Sequence, residues 1–239
     1  MTNWMDTPIR RLDDDLFAVE GLFRAAGGVR FPVRSTIVRG AEGLTIVAPI
    51  AFDDATRAAI DALGPVTRIV APNRFHWASY AAARQAWPTA RGYGAPGLAE
   101  KRPELRFDET LAAGRLGALE VFAIEGAPAA SEHVFAHVAS GTLIVTDLVF
   151  AIRRAENFRS WLVFKLVART LGHVRASRLW GVFRKDPAAF EQSVARVLEV
   201  EFERLVVAHG DVVEEDGRRV LEEGLAWLRP GRALVVAGA

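Results

Sequence analysis

The sequence predicts an α/β fold built from layers of sheet and helix. Two observations carry that prediction. Strands and helices alternate through the first hundred residues, and a run of strands fills the middle before helices return. Hydrophobic residues at 51% and charged residues at 25% add that the chain is globular, not disordered or fibrous.

Leu16-Phe17-Ala18-Val19-Glu20 follows the acidic turn Asp13-Asp14-Asp15 and reads as an opening strand. Gly27-Gly28 breaks the pattern. Ser35 to Arg39 is extended again, and Glu42-Gly43 turns the chain into the apolar strand Leu44 to Ala48. Asp53-Asp54 offers a helix N-cap, with Ala55, Ala58, Ala59, Ala62 and Leu63 at helical spacing behind it and Gly64-Pro65 as the stop. Val66 to Ala71 is a strand, Trp77 to Trp87 an alanine-rich helix closed by Pro88, and Arg91 to Ala95 a short strand. The middle strands are Leu119 to Ile124, Glu132 to Val138 and Thr142 to Asp147, the last two joined by a tight turn at Ala139-Ser140-Gly141. Phe158 to Leu171 reads as an apolar helix stopped by Gly172, and Pro187 starts an amphipathic helix that runs to about Val200. Phe202 to Ala208 is the last strand, and Gly217 to Leu228 a last helix closing on Pro230-Gly231. No linker rich in proline, serine or charge divides the chain, so residues 1–239 are expected to form a single domain.

Composition removes several chemistries. With no cysteine, disulfides, thiolate zinc sites, iron–sulfur ligation and cysteine nucleophiles are excluded, and any metal must rest on His, Asp, Glu, Asn or water. Thirty basic against 29 acidic residues leave a net charge of +1, which argues against a nucleic-acid partner. Lys101, Lys165 and Lys185 are the only lysines, a bias that reads as bacterial genome composition. Met1 to Arg11 carries no apolar run of signal-peptide length, and no stretch approaches the ~18 apolar residues of a membrane span, so the expectation is a cytoplasmic protein.

Familiar catalytic motifs are missing. The chain has no Walker-type phosphate loop, no Gly-x-Gly-x-x-Gly fingerprint and no Gly-x-Ser-x-Gly elbow. The polar residues placed at strand ends form a short list: Asn73, Arg74, His76, Asp147 and His209. Ligands usually sit beyond the carboxyl ends of strands in such sheets.

Around those positions the chain resembles the metallo-β-lactamase superfamily, and more narrowly an uncharacterised bacterial branch of it. The resemblance rests on Gly43-Leu44-Thr45-Ile46-Val47 followed by a helix and Arg68 to Trp77. It rests also on Val134 to Asp147 as a central hairpin ending in Asp, and on Leu205-Val206-Val207-Ala208-His209-Gly210 as a late strand ending in His-Gly. The branch is marked by Asp13-Asp14-Asp15-Leu16, Ala71-Pro72-Asn73, Ala95-Pro96-Gly97-Leu98 with Glu100-Lys101-Arg102-Pro103, and Thr146-Asp147-Leu148. It implies a four-layer αββα sandwich of the α+β kind.

The family's metal motif is eroded here. Its His-x-His-x-Asp-His loop falls on Pro72-Asn73-Arg74-Phe75-His76-Trp77, so Pro72 and Arg74 replace two histidines, His76 the aspartate and Trp77 the last histidine. The next histidine should fall near Gly126-Ala127-Pro128 and is absent; the bridging aspartate survives as Asp147 and the final histidine as His209. The resemblance thus implies a degenerate site for at most one divalent ion (zinc, iron or manganese) on His76, Asp147 and His209. Two imidazoles and a carboxylate suffice chemically for such an ion with open water positions. His76 and Asp147 would be catalytic, Asp147 orienting the water that attacks a small-molecule substrate positioned by Asn73 or Arg74.

Other readings stand beside this one. A non-catalytic binding or interaction protein on the same scaffold would hold no metal, and its Arg74 would pair with Asp147. A relocated site would draw on Glu132 or His133. His133 and His137 share one strand face, with His137 expected at the surface beside the turn, and His173 would complement a helix end. The apolar stripe of Trp161, Leu162, Phe164, Leu166 and Val167 is core, a lid over a hydrophobic substrate, a membrane-touching surface or a homodimer face. Trp180 and Phe183, with Arg178 and Arg184, are expected at a loop edge within reach of an anionic ligand.

Overall fold

The computed structural model describes residues 9–228. The Pro230-Gly231 stop and residues 1–8 of the N-terminal segment lie outside the described residues. Seven strands form a first sheet in chain order. β1 (Arg10–Asp13), β2 (Leu16–Arg24), β3 (Arg30–Gly40) and β4 (Gly43–Val47) are an antiparallel meander. β5 (Val66–Ala71), β6 (Arg91–Gly94) and β7 (Glu109–Thr110) extend it in parallel, with α1 (Asp54–Leu63), α2 (Tyr80–Ala86) and α3 (Leu98–Lys101) as crossovers. In the second sheet, β8 (Gly114–Leu116), β9 (Leu119–Ala123), β10 (His133–His137) and β11 (Thr142–Val145) run antiparallel in succession. Next come α4 (Phe158–Leu162), α5 (Trp180–Phe183) and α6 (Pro187–Leu198). β12 (Arg204–Val207) then pairs parallel with β11, and α7 (Gly217–Leu225) follows.

The period-two alternation of side chains sets the layers. Val38 and Val70 point from the first sheet toward Phe135, Ile144 and Val206 of the second, which makes the central layer of the core. Their sequence neighbours Ile37 and Ile69 point outward, onto Ile60 of α1 and Tyr80 of α2. On the opposite side Val134, Leu143 and Leu205 meet Phe190 of α6 and Leu221 of α7. The result is an αββα sandwich, as the resemblance implies.

Local chemistry fixes the helix ends. Asp53 accepts from the backbone N–H of Thr56 at 2.7 Å to cap α1, and Asp186 accepts from Ala188 and Ala189 at 3.0 Å with Pro187 in the first turn of α6.

Four expectations change. The opening strand runs on to Arg24, because it pairs with β3 from Leu16↔Val38 to Arg24↔Arg30. The helix expected from Trp77 starts at Tyr80, the intervening residues forming turns. The helix expected over Phe158–Leu171 ends early: α4 passes into a π-helical turn at Val163–Val167, and Arg169 turns left-handed (φ 56°). The N–H groups of Thr170 and Leu171 then close back on the Phe164 carbonyl, before Gly172 is reached. His137 is buried, because the turn Val138–Ser140 folds over it and places Ser140 Oγ 2.7 Å from Nδ1. No helix among the described residues is long and apolar enough to cross a membrane.

Candidate functional site

Three strand ends converge on one point. β11 and β12 are parallel with Val145 opposite Val207, so Asp147 and His209, each two residues further on, leave the sheet side by side. His76 arrives from the loop after β5 across the sandwich. Its Nε2 lies 3.1 Å from His209 Nε2 and 3.3 Å from Asp147 Oδ2, and His209 Nε2 lies 3.3 Å from Asp147 Oδ1. Around an ion with ~2.0–2.1 Å bonds, tetrahedral ligands stand about 3.3 Å apart, so the three separations match edges of such a polyhedron. Among the described residues, this trio is the cluster of His, Asp and Glu spaced for a metal ion.

The donor set is oriented from behind. His209 Nδ1 lies 2.8 Å from the Pro32 carbonyl, which can only accept. Nδ1 therefore carries a proton, and Nε2 is the nitrogen that faces Asp147 and His76. Phe150 stacks on the same imidazole, centroids 5.0 Å apart and planes within 8°. Gly210 follows with φ 110°, and a Cβ there would fall 2.1 Å from the Ala151 carbonyl oxygen, so only glycine fits this exit. Arg34, fully buried, holds both flanks of His209. It donates to the Val207 carbonyl and, at 2.7 Å, to the Gly210 carbonyl, while Glu20 Oε1 accepts from its Nη2 at 2.6 Å.

A second buried carboxylate organises the other side. Glu132 Oε1 accepts from Thr146 Oγ1 at 2.7 Å, Thr146 N at 3.1 Å and Asp147 N at 2.9 Å. Asn73 Nδ2 reaches Glu132 Oε2 at 2.6 Å and Asp147 Oδ2 at 2.7 Å, and Asn73 Oδ1 accepts from the N–H groups of Phe75 and His76 at 2.8 Å. Burial, then the neighbouring Asp147 charge, pushes Glu132 up to about 7. Burial pushes Asp147 up as well, but the facing imidazoles of His76 and His209 outweigh it and hold its carboxyl well below the usual range.

The structure brings His76, Asp147 and His209 together, sets Asn73 directly behind them and leaves Arg74 apart. Arg74 does not reach Asp147: its Nη1 donates to the Pro128 carbonyl at 3.1 Å, and its chain passes over Gly97. The slot in the motif fixes the backbone of Arg74 and leaves its long side chain free to find another acceptor. Asn73 is buried with its amide fully engaged, so it positions His76 and Asp147 and has nothing left for a substrate. The residues that sequence reasoning underweighted are Glu132 and Arg34. An acid opening an otherwise apolar strand was the available signal for the first; Arg34, in the polar run Arg34-Ser35-Thr36, gave none.

His133 is buried with Nδ1 3.1 Å from the Ser131 carbonyl, and His173 is exposed away from the group. Trp180 and Phe183, expected at a loop edge, instead wall a cavity of about 390 Å³ that ends on His76, Asp147 and His209. Trp180 is buried and donates from Nε1 to the Asp147 carbonyl at 2.7 Å, while Phe75 stacks on Phe183 with centroids 5.5 Å apart.

No family model matches the sequence, and no curated protein matches it significantly. Solved structures do match. The metallo-β-lactamase FIM-1 of Pseudomonas aeruginosa, solved in a mono-zinc form, is 16% identical, with 93% of this chain and 96% of that chain covered at a TM-score of 0.64. A metallo-β-lactamase of Hirschia baltica is 11% identical over 94% and 98% of the two chains, at 0.64. One of Pontibacter korlensis is 16% identical over 92% and 97%, at 0.61. Sheet order, strand-end geometry and these neighbours agree: the chain has the metallo-β-lactamase fold.

Proposed function

We propose that the protein is a hydrolase whose degenerate site takes a single divalent ion, zinc, iron or manganese, on His76, Asp147 and His209. The observation that carries this reading is the spacing of three ligand atoms at 3.1–3.3 Å around a carboxylate that no Arg or Lys neutralises among the described residues. A bound divalent ion supplies Lewis acidity and brings the pKa of water toward neutrality. The chain's own residues do the rest. His209 offers Nε2 because Pro32 holds its Nδ1 proton, and Asp147 stays ionised between two imidazoles. Asn73 and Glu132 keep that carboxylate in place.

The metal-free alternative requires Arg74 on Asp147, and the Arg74–Pro128 hydrogen bond speaks against it. A homodimer contact belongs to the proposal as a secondary element, because Phe158, Leu166 and Val167 are exposed apolar side chains on one segment. The neighbouring fold family suggests a small-molecule substrate.

Elemental mass spectrometry on untagged protein tests the reading. About one equivalent of metal in the wild type, lost in His209→Ala while circular dichroism is unchanged, is the expected result. Absence of bound metal after incubation with zinc, iron and manganese, or equal metal in the variant, overturns it.

A further inference from the structure

We infer that the cavity selects an uncharged, apolar ligand: a neutral ester, lactone or amide carrying an aliphatic or aromatic group. The scissile bond in that statement rests on the hydrolase reading; the polarity of the ligand does not.

The argument is the make-up of the walls. At about 390 Å³ the cavity lies in the ~300–1,000 Å³ range of small-molecule sites. Neither an Arg nor a Lys lines it among the described residues, and apart from His76, Asp147 and His209 its polar side chains are Ser79 and Ser177. Three cations close to the site in the chain or the fold are engaged with other groups. Arg74 is held by Pro128, Arg34 bonds to Glu20 beneath the strand end, and the ammonium of Lys101 donates to the Arg74 carbonyl at 2.7 Å and lies over the Phe75 ring, 4.9 Å from its centroid. A carboxylate or phosphate carried by the ligand away from the His76–Asp147–His209 end would therefore lose its water against walls that neither an Arg nor a Lys lines among the described residues.

The mouth repeats the pattern. Leu22, Phe23, Phe75 and Leu179 are large apolar side chains that line the cavity and remain 40–48% exposed. Exposed apolar side chains gathered at one opening mark a binding surface more often than isolated ones do. Leu22 and Phe23 come from the part of β2 that runs beyond the expected strand, so the long β2–β3 hairpin supplies one lip and α5 with its approach the other.

The same wall chemistry bears on turnover. Water adding across an acyl–oxygen bond breaks that bond and yields an alcohol and a carboxylic acid. The acid loses its proton to solvent, and the resulting carboxylate finds neither an Arg nor a Lys among the described residues lining the cavity.

Isothermal titration with N-butyl-, N-hexyl- and N-octylacetamide tests the inference on the full chain as purified, with octanoate compared in the presence of a chelator. Affinity rising about fourfold per added methylene is expected, with octanoate about tenfold or more weaker than N-octylacetamide. Leu179→Glu, at an exposed position, should weaken the longest amide about tenfold without altering the fold. A flat chain-length series, octanoate binding as tightly as the amide, or an unchanged Leu179→Glu variant overturns the inference. Metal content decides the hydrolase reading separately: amide binding without metal leaves the ligand class standing, and metal without amide binding leaves the hydrolase standing.

Discussion

The amide nitrogen of Asn73 lies 2.6 Å from Oε2 of Glu132, and this pair is shut inside the protein behind the ligand cluster. The same nitrogen also donates to Asp147, so one neutral side chain separates two carboxylates that burial has brought together. Replacing Asn73 by Ala leaves both acids without that donor. A loss of about 3 kcal/mol is expected in urea unfolding, seen as a fall in melting temperature of roughly 6–12 °C. An Asn73→Ala variant as stable as wild type would remove Asn73 from its positioning role.

Arg34 is a second supporting residue that can be tested alone. Lysine keeps the charge but lacks the fork that reaches Glu20, Val207 and Gly210 together. Arg34→Lys should cost about 2 kcal/mol of stability and weaken metal binding roughly tenfold, because both carbonyls beside His209 lose their anchor. Titration of the variant with zinc against a competing chelator reads the second effect; full affinity would confine Arg34 to a structural role.

Acid sensitivity should trace partly to His133. Burial lowers its proton affinity from the ordinary 6.5, and the Ser131 and Pro72 carbonyls only partly restore it. The unfolded chain then binds a proton that the folded chain refuses. Stability is complete above pH 6.5 and is lost as the pH falls toward the depressed folded value. Urea midpoints measured on both sides of pH 6.5 should therefore differ less in His133→Gln than in the wild type. His137, shifted the same way by burial, leaves a residual slope in the variant.

Much of this architecture is legible in the chain. Strand ends at Ala71, Asp147 and Ala208 mark where the candidate ligands emerge, because period-two apolar runs and the residues that stop them are local signals. What a side chain finds after folding is not local. Arg74 occupies a ligand's place in the motif yet bonds to Pro128, and Glu132 becomes the hub only because three segments close over it. The stripe around Trp161 has helical spacing throughout, and that spacing cannot tell that Arg169 turns left-handed. His137 beside a turn reads as exposed until Ser140 folds back onto it.

The parallel pairing of β11 with β12 also orders events during synthesis. Thr142 and Arg204 face each other although 62 residues separate them along the chain. Closing so long an intervening segment is slow compared with forming a hairpin. A ribosome-bound chain that has not yet emitted β12 presents His76 and Asp147 without the third donor. On the proposed metal reading, tight ion capture would wait for β12 to dock, so a metal would enter near the end of folding, after β5 and β11 have been made.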